Sequence, residues 1–268
     1  APGLNVTVEA LAQADLMAAK FIAGEAKAGI LPPNVAAKIA SSGKNLKIAA
    51  VIGTGMLNLI SAEPAVQSIA GLKGRSVEVA GQGATPDYVF RRILMTQGLK
   101  PDVDVIFGYS LAYPEIAQSL IAGRISLALL PEPFATMARS ENPNLRVIGN
   151  IQDEWVKAGG EGNFPMTALV LDGDWALSHP QGVAALLGAL KASIEWVVAN
   201  PAGAGALVEK HGLGLRAPVV AAAVPRSNYV YIPAAEARSS LESLYQVFLE
   251  FAPQSIGGAL PKDDFYYR

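Results

Sequence analysis

The sequence predicts an α/β protein of two lobes, each built on a mainly parallel sheet flanked by helices. Three observations carry that prediction: the length, an internal repeat, and the alternation of strand and helix inside each copy. At 268 residues the chain exceeds the usual size of one domain. Apolar residues make up 51% and charged ones 16%, enough for a packed core and too apolar for a disordered chain.

The repeat is the strongest of the three. "FIAGEAKAGILPPNVAAKIA" from Phe21 and "LIAGRISLALLPEPFATMAR" from Leu120 lie ninety-nine residues apart. Laid without a gap, residues 22–53 match residues 121–152 at ten of thirty-two positions, among them Gly24 with Gly123, Pro32 with Pro131 and Leu46 with Leu145. A chain built of structural repeats buries its core by stacking them, so the period speaks to the fold.

Each copy follows the same order. A short strand ("NVTVEAL", "DVIFGYS") leads to a helix that ends at Gly24 or Gly123, where glycine accepts the left-handed C-terminal conformation. A second apolar strand closes at Leu31-Pro32 or Leu130-Pro131, and Pro33 or Pro133 opens the next helix. A third strand then begins at "LKIAAVIG" or "LRVIGNI". The order β-α-β-α-β argues for parallel pairing.

The second copy has a preface, a strand at Ser76–Ala80, a Gly-rich turn and a helix from Pro86 to Gln97 closed by Gly98. By the same offset Ala1 aligns with Lys100, in the loop after that helix. About thirty residues of the first lobe are therefore expected upstream. Beyond Met166 the pattern gives a strand "MTALVL" and helices Gln181–Ala199, Ala202–Lys210 and Ala234–Phe251, with "PRSNYVYIP" between the last two. The expected division is 1–70 with 166–268 for the first lobe and 71–165 for the second, with Glu63–Ala70 as the outward crossing and a cleft between the lobes.

Several function classes fall away. A net charge of −2 gives no basic field for nucleic acid. The absence of cysteine removes disulfides, thiolate metal sites and cysteine nucleophiles. His179 and His211 have no second ligand at metal spacing, and no Gly-x-Ser-x-Gly elbow occurs. No metal, cofactor or catalytic group is expected. The mean hydropathy is high, but the most apolar helix, from Val183, is interrupted by Lys191 and Glu195 and reads as amphipathic.

The candidate ligand-binding residues lie at strand ends. In "GQGATPDYVF", Gly81, Gln82, Gly83 and Ala84 form a turn with close backbone approach, and Thr85 is placed to cap the helix that Pro86 opens. The third glycine of a dinucleotide fingerprint is missing, and no P-loop lysine follows. Glu132 sits between two prolines at the carboxyl end of a strand, either facing a ligand or capping the next helix. Tyr109, Ser110, Tyr113, Trp155, Asn163 and Phe164 suit a planar ligand in the second lobe, against the plainer reading of core aromatics. Asn34, Thr54 and Asn228 are the polar candidates in the first lobe, where "GTGML" reads equally as hinge.

With those residues in view, the chain resembles periplasmic solute-binding proteins of ABC importers, of the nitrate, sulfonate, taurine and thiamine-pyrimidine-precursor type. The resemblance rests on "GLKGRSVEVAGQGATPDYVFRRIL", the helix end "AGRI", "LLPEPFATMA" and Trp155. It implies the type II periplasmic-binding-protein fold, and an extracytoplasmic monomer, free or lipid-anchored through a removed N-terminal segment. It also implies a small organic or inorganic anion or an aromatic heterocycle as ligand, and an ABC transporter permease as partner. It carries over the Gly81–Thr85 turn and the segment around Glu132 as ligand-facing. Enzymes of pyrimidine and menaquinone-precursor synthesis share the fold, so an enzyme of the same fold stands as the alternative, beside a ligand-free interaction protein.

Overall fold

In the computed structural model, residues 6–11 and 14–268 are described. In chain order the first elements are helix α1 (Ala14–Ala23), strand β1 (Ala28–Leu31), α2 (Pro33–Ser41), β2 (Leu46–Thr54) and β3 (Leu57–Ser61). Then come β4 (Arg75–Val79), α3 (Thr85–Thr96), β5 (Val105–Gly108), α4 (Tyr113–Ile121), β6 (Leu127–Pro131), α5 (Phe134–Glu141), β7 (Arg146–Asn150) and α6 (Ile151–Lys157). The last are β8 (Pro165–Asp172), α7 (Gly173–Ser178), α8 (Pro180–Ala199), α9 (Pro201–Lys210), α10 (Ala217–Ala223), β9 (Tyr229–Pro233) and α11 (Ala234–Phe251). The repeat is real in three dimensions, since α1-β1-α2-β2 and α4-β6-α5-β7 fall at the expected offset. Gly24 and Gly123 both adopt positive φ, 79° and 67°, at the ends of α1 and α4.

The chain forms two compact units. Unit 1 comprises Ala1–Thr54, Pro165–Ala199 and Tyr229–Arg268, and unit 2 comprises Gly55–Phe164 and Asn200–Asn228. This moves the expected boundary. The chain enters the second unit at Gly55 rather than after Ala70, because β3 pairs with β6 and β7 and so belongs to their sheet. Helices α9 and α10 also join unit 2, where α10 packs on α5 and Arg216 pairs with Glu141 at 3.0 Å.

Unit 1 holds a four-stranded sheet in the order β1-β8-β2-β9. The expected parallel pairing fails here. β1 and β2 run the same way, but β8 returns between them and pairs antiparallel with each. α2 and α11 pack together on β2, and the buried Tyr245 hydroxyl donates to Pro33 O at 3.1 Å. The opposite face is covered by α7 and α8, with Ala49, Ala50, Ile52, Leu169, Leu171 and Val183 as its core. Val6–Leu11 is not a strand, and Val6 and Val8 are exposed: these side chains have no sheet to bury against. Asn5, at the start of that expected strand, lies outside the described residues.

Unit 2 holds a five-stranded sheet in the order β5-β4-β6-β3-β7. β4 runs parallel to both β5 and β6, while β3 is antiparallel to β6 and β7, so this sheet is mixed, where that of unit 1 pairs antiparallel throughout. α4 and α5 cover one face over a core that includes Ile60, Ile116, Leu120, Ala128 and Leu130. α3 packs against α6, and Trp155 meets Phe164 edge-on at 5.6 Å, both fully inside the core.

Candidate ligand-binding edge of unit 2

Parallel strands carry their following loops to a common edge, where ligands of open α/β sheets bind. In unit 2 that edge collects the turn after β4, the loop after β5 and the loop after β6, together with the first turns of α3, α4 and α5. The start of β3 lies there too, because Leu57 pairs with Pro131 and Glu132 N donates to Met56 O at 3.0 Å.

The Gly-rich turn is shaped by Gly81 and Gly83, with φ of 78° and 76°. α3 begins one residue earlier than expected. Ala84 is its N-cap and Thr85 its first helical residue, so Thr85 does not cap the helix. The carboxylate of Asp87 does related work, accepting from Gly83 N at 2.9 Å, Arg91 Nε at 2.6 Å and Tyr109 Oη at 2.9 Å. Arg91 also donates to Tyr109 Oη at 2.8 Å and lies over the Phe107 ring, 4.8 Å from its centroid. Burial opposes charge on Arg91, but its bonds to Asp102, Tyr109 and Asp87 outweigh that and hold its pKa above the usual arginine value. Burial likewise pushes the Tyr109 phenol up. The Tyr109 hydroxyl is therefore spent on holding the turn. Ser110 follows it, exposed, in the loop.

Glu132 is 6% exposed and acts as a cap. Its Oε2 accepts from Thr136 N at 3.0 Å and its Oε1 from Asn58 Nδ2 at 3.5 Å, within a segment whose Glu132–Pro133 bond is cis. Glu115 works the other way round at α4, reaching back from the third helical position to accept from Ala112 N at 2.8 Å. A carboxylate of the chain thus serves the first turn of each of the three helices at this edge.

Asn163, Phe164 and Asn228 converge on Gly55. Asn163 Nδ2 donates to Gly55 O at 3.2 Å, Asn228 Nδ2 donates to the same oxygen, and Gly55 N donates to Phe164 O at 2.8 Å. A Cβ on residue 55 would stand 2.5 Å from the Phe164 ring, so only glycine fits. The Phe164 side chain is wholly buried and, with Trp155, belongs to the core.

Two hydroxyls in the first turns at this edge find no partner among the described residues. The hydroxyls of Thr85 and Thr136 are buried without a hydrogen-bond partner, in residues 3% and 5% exposed. Such groups cost about 1–3 kcal/mol each and call for an explanation. At the starts of α4 and α5 the rings of Tyr113 and Phe134 stack at 6.0 Å, both half-buried. Burial raises the Tyr113 phenol to about 12, so it is neutral at ordinary pH.

Asp87, Arg91, Thr136 and Phe134 were not among the residues picked from the sequence. The i,i+4 spacings of Asp87 with Arg91 and of Glu132 with Thr136 were the signals that could have found them. Asn34 and Thr54 lie in unit 1, in the first turn of α2 and at the end of β2. Both are 6% exposed, and Asn34 Oδ1 has no hydrogen-bond partner. No group of three or more His, Cys, Asp or Glu able to hold a metal occurs among the described residues.

Comparison with known proteins decides the family. The model of the NMT1-like family matches residues 3–210. The chain belongs to the NMT1-like family. Among solved structures, this NMT1-like chain is similar to an ABC transporter protein from Parabacteroides distasonis, at 25% identity and TM-score 0.84, covering 98% of this chain and 88% of that one. The periplasmic aliphatic sulphonate binding protein SsuA of Escherichia coli matches at 16% identity and TM-score 0.74, covering 94% and 79% of the two chains. The periplasmic nitrate-binding protein NrtA of Synechocystis matches at 11% identity and TM-score 0.65, covering 91% and 74%. A search of curated proteins finds no match. The fold is that of the periplasmic binding proteins: mixed α/β, with two sheets flanked by helices.

Proposed function

We propose that this protein is an extracytoplasmic solute-binding receptor of an ABC importer, and that its ligand is an uncharged, hydrogen-bonding planar molecule such as an aromatic heterocycle. The receptor role is supported by the NMT1-like membership and by the transport proteins that share the fold. It acts as a monomer, hands its ligand unchanged to the permease, and needs no cofactor.

The ligand class rests on the composition of one sheet edge: two buried, unsatisfied threonine hydroxyls in the first turns of α3 and α5, and a stacked aromatic pair at the starts of α4 and α5. A heterocycle offers donors and acceptors to Thr85 and Thr136 and a ring face to Tyr113 and Phe134. A small inorganic anion suits the edge poorly. Each of the three helix starts already carries the chain's own carboxylate, and among the described residues only Asp87 of the three has a cation, Arg91, against it. A further negative charge meets like charge there.

Titration calorimetry against uncharged pyrimidines, flavins, alkanesulfonates and nitrate tests both levels. A saturable signal from an uncharged heterocycle is expected. Thr85→Val and Thr136→Val should each weaken it about five-fold, the worth of one hydrogen bond, and raise the ligand-free melting temperature because an unsatisfied hydroxyl is removed. Nitrate or sulfonate binding with heterocycles silent overturns the ligand class. Unchanged affinity in both variants moves the site elsewhere.

A further inference from the structure

The three carboxylates at the edge of unit 2 differ in what they hold. Glu115 and Glu132 each meet one backbone N–H near their own helix start. Asp87 collects donors from three segments. Its Oδ2 accepts from Gly83 N at 2.9 Å in the Gly-rich turn. Its Oδ1 accepts from Arg91 Nε at 2.6 Å in α3 and from Tyr109 Oη at 2.9 Å after β5. The Asp87 side chain is 3% exposed, so water has little share in that set.

The donors also have anchors of their own. Arg91 donates to Asp102 at 2.5 and 3.3 Å and to Tyr109 Oη at 2.8 Å, with its guanidinium over the Phe107 ring. Phe107 in turn stacks on Phe90 of α3 at 5.4 Å. The turn is closed by Ala84 N, which donates to Gly81 O at 3.0 Å. None of these contacts involves Asp87, so the cation, the phenol and the turn are fixed independently of its carboxylate. A backbone N–H of a Gly-rich turn, a guanidinium and a phenol that converge on two oxygens make a donor set for an oxyanion. Here the oxyanion is the chain's own.

We propose that Asp87 is the specificity-determining residue of this edge: its carboxylate fills the anion site of the Gly-rich turn from within, so the turn admits an uncharged group and rejects an anion. This assignment, which rests on the reading of the edge as ligand-binding, gives the choice of ligand charge to one side chain. The amide of Gly83 is consumed by Asp87, and the group left without a partner in the first turn of α3 is the neutral Thr85 hydroxyl.

Asp87→Ala empties the site while leaving Arg91 on Asp102 and Tyr109. The probes are formate and nitrate, planar anions with the oxygen spacing of a carboxylate, at an ionic strength held constant with chloride. Asp87→Ala should bind both about ten-fold or more tightly than the unaltered protein, read as a saturable rise in melting temperature. Adding Arg91→Gln to Asp87→Ala should abolish that gain. If Asp87→Ala does not fold, Asp87→Ser, which leaves the same donors unfilled, carries the same measurement. Equal responses of the unaltered protein and the variant overturn the proposal. A gain that survives Arg91→Gln also overturns it, by placing the anion elsewhere. Silence of the heterocycles alone, with formate and nitrate behaving as expected, strikes the heterocycle as ligand and leaves Asp87 as the filler of the anion site.

Discussion

β1 and β6 are near-copies in sequence and opposites in environment. "AGILP" in unit 1 is part-exposed at Ala28, Gly29 and Pro32 and half-exposed at Ile30, while "LALLP" in unit 2 is buried throughout. The strand sequence does not set this difference. It follows from the neighbours: β6 has β3 and β4 beside it and α4 and α5 over one face, and β1, among the described residues, has β8 alone. A strand's contribution to stability belongs to its surroundings more than to its residues.

Paired truncations put numbers on that contrast. Leu129→Ala should cost about 2–5 kcal/mol, and Ile30→Ala less than about 1 kcal/mol, read from denaturant midpoints at constant slope. Equal losses would break the comparison. On the covered face the two units should agree: Leu31→Ala and Leu130→Ala, both 0% exposed, should each lose about 2–5 kcal/mol.

A smaller and matched effect is expected at the helix ends. Gly24→Ala and Gly123→Ala should each cost about 1 kcal/mol, because both sites need positive φ and neither has a neighbour for a Cβ to strike. Unequal losses would show that the shared C-terminal geometry is not equally important in the two units.

A further contrast concerns pH. Tyr113 stands where unit 1 has Ala14, and its phenol is raised from 10.0 to about 12 by burial. Above pH 10 the unfolded chain releases this proton before the folded one does. The stability held below pH 10 is therefore lost as pH rises toward 12. Tyr113→Phe should make the alkaline fall in stability shallower across that window, while Ala14→Gly leaves its slope unchanged.

Much of the fold was legible because its signals are local. Gly24, Gly123 and Gly98 end their helices as their conformational freedom requires, and the repeat offset located β1, β2, β6 and β7. Strand neighbours were not legible. β8 enters between β1 and β2, and β3 between β6 and β7, and no local pattern says which apolar strand a sheet will accept. The boundary at Gly55 was missed for the same reason.

At the candidate site, the sequence brought Gly81, Gly83 and Thr85 to attention through backbone grammar alone. It could not apportion the hydrogen bonds. Tyr109 reads as a free ring until Asp87 and Arg91 close on its hydroxyl, and Glu132 reads as either ligand group or helix cap until Thr136 N and Asn58 occupy it.

By itself, then, the sequence determined the duplicated strand–helix order, the turn glycines and the absence of thiol chemistry, since these depend on residue type and spacing along one chain. Only the tertiary structure decided which strands pair, which carboxylates are consumed as caps and which hydroxyls, those of Thr85, Thr136 and Tyr266 among them, are buried without a partner. Those outcomes depend on groups far apart in sequence competing for the same few ångströms of space.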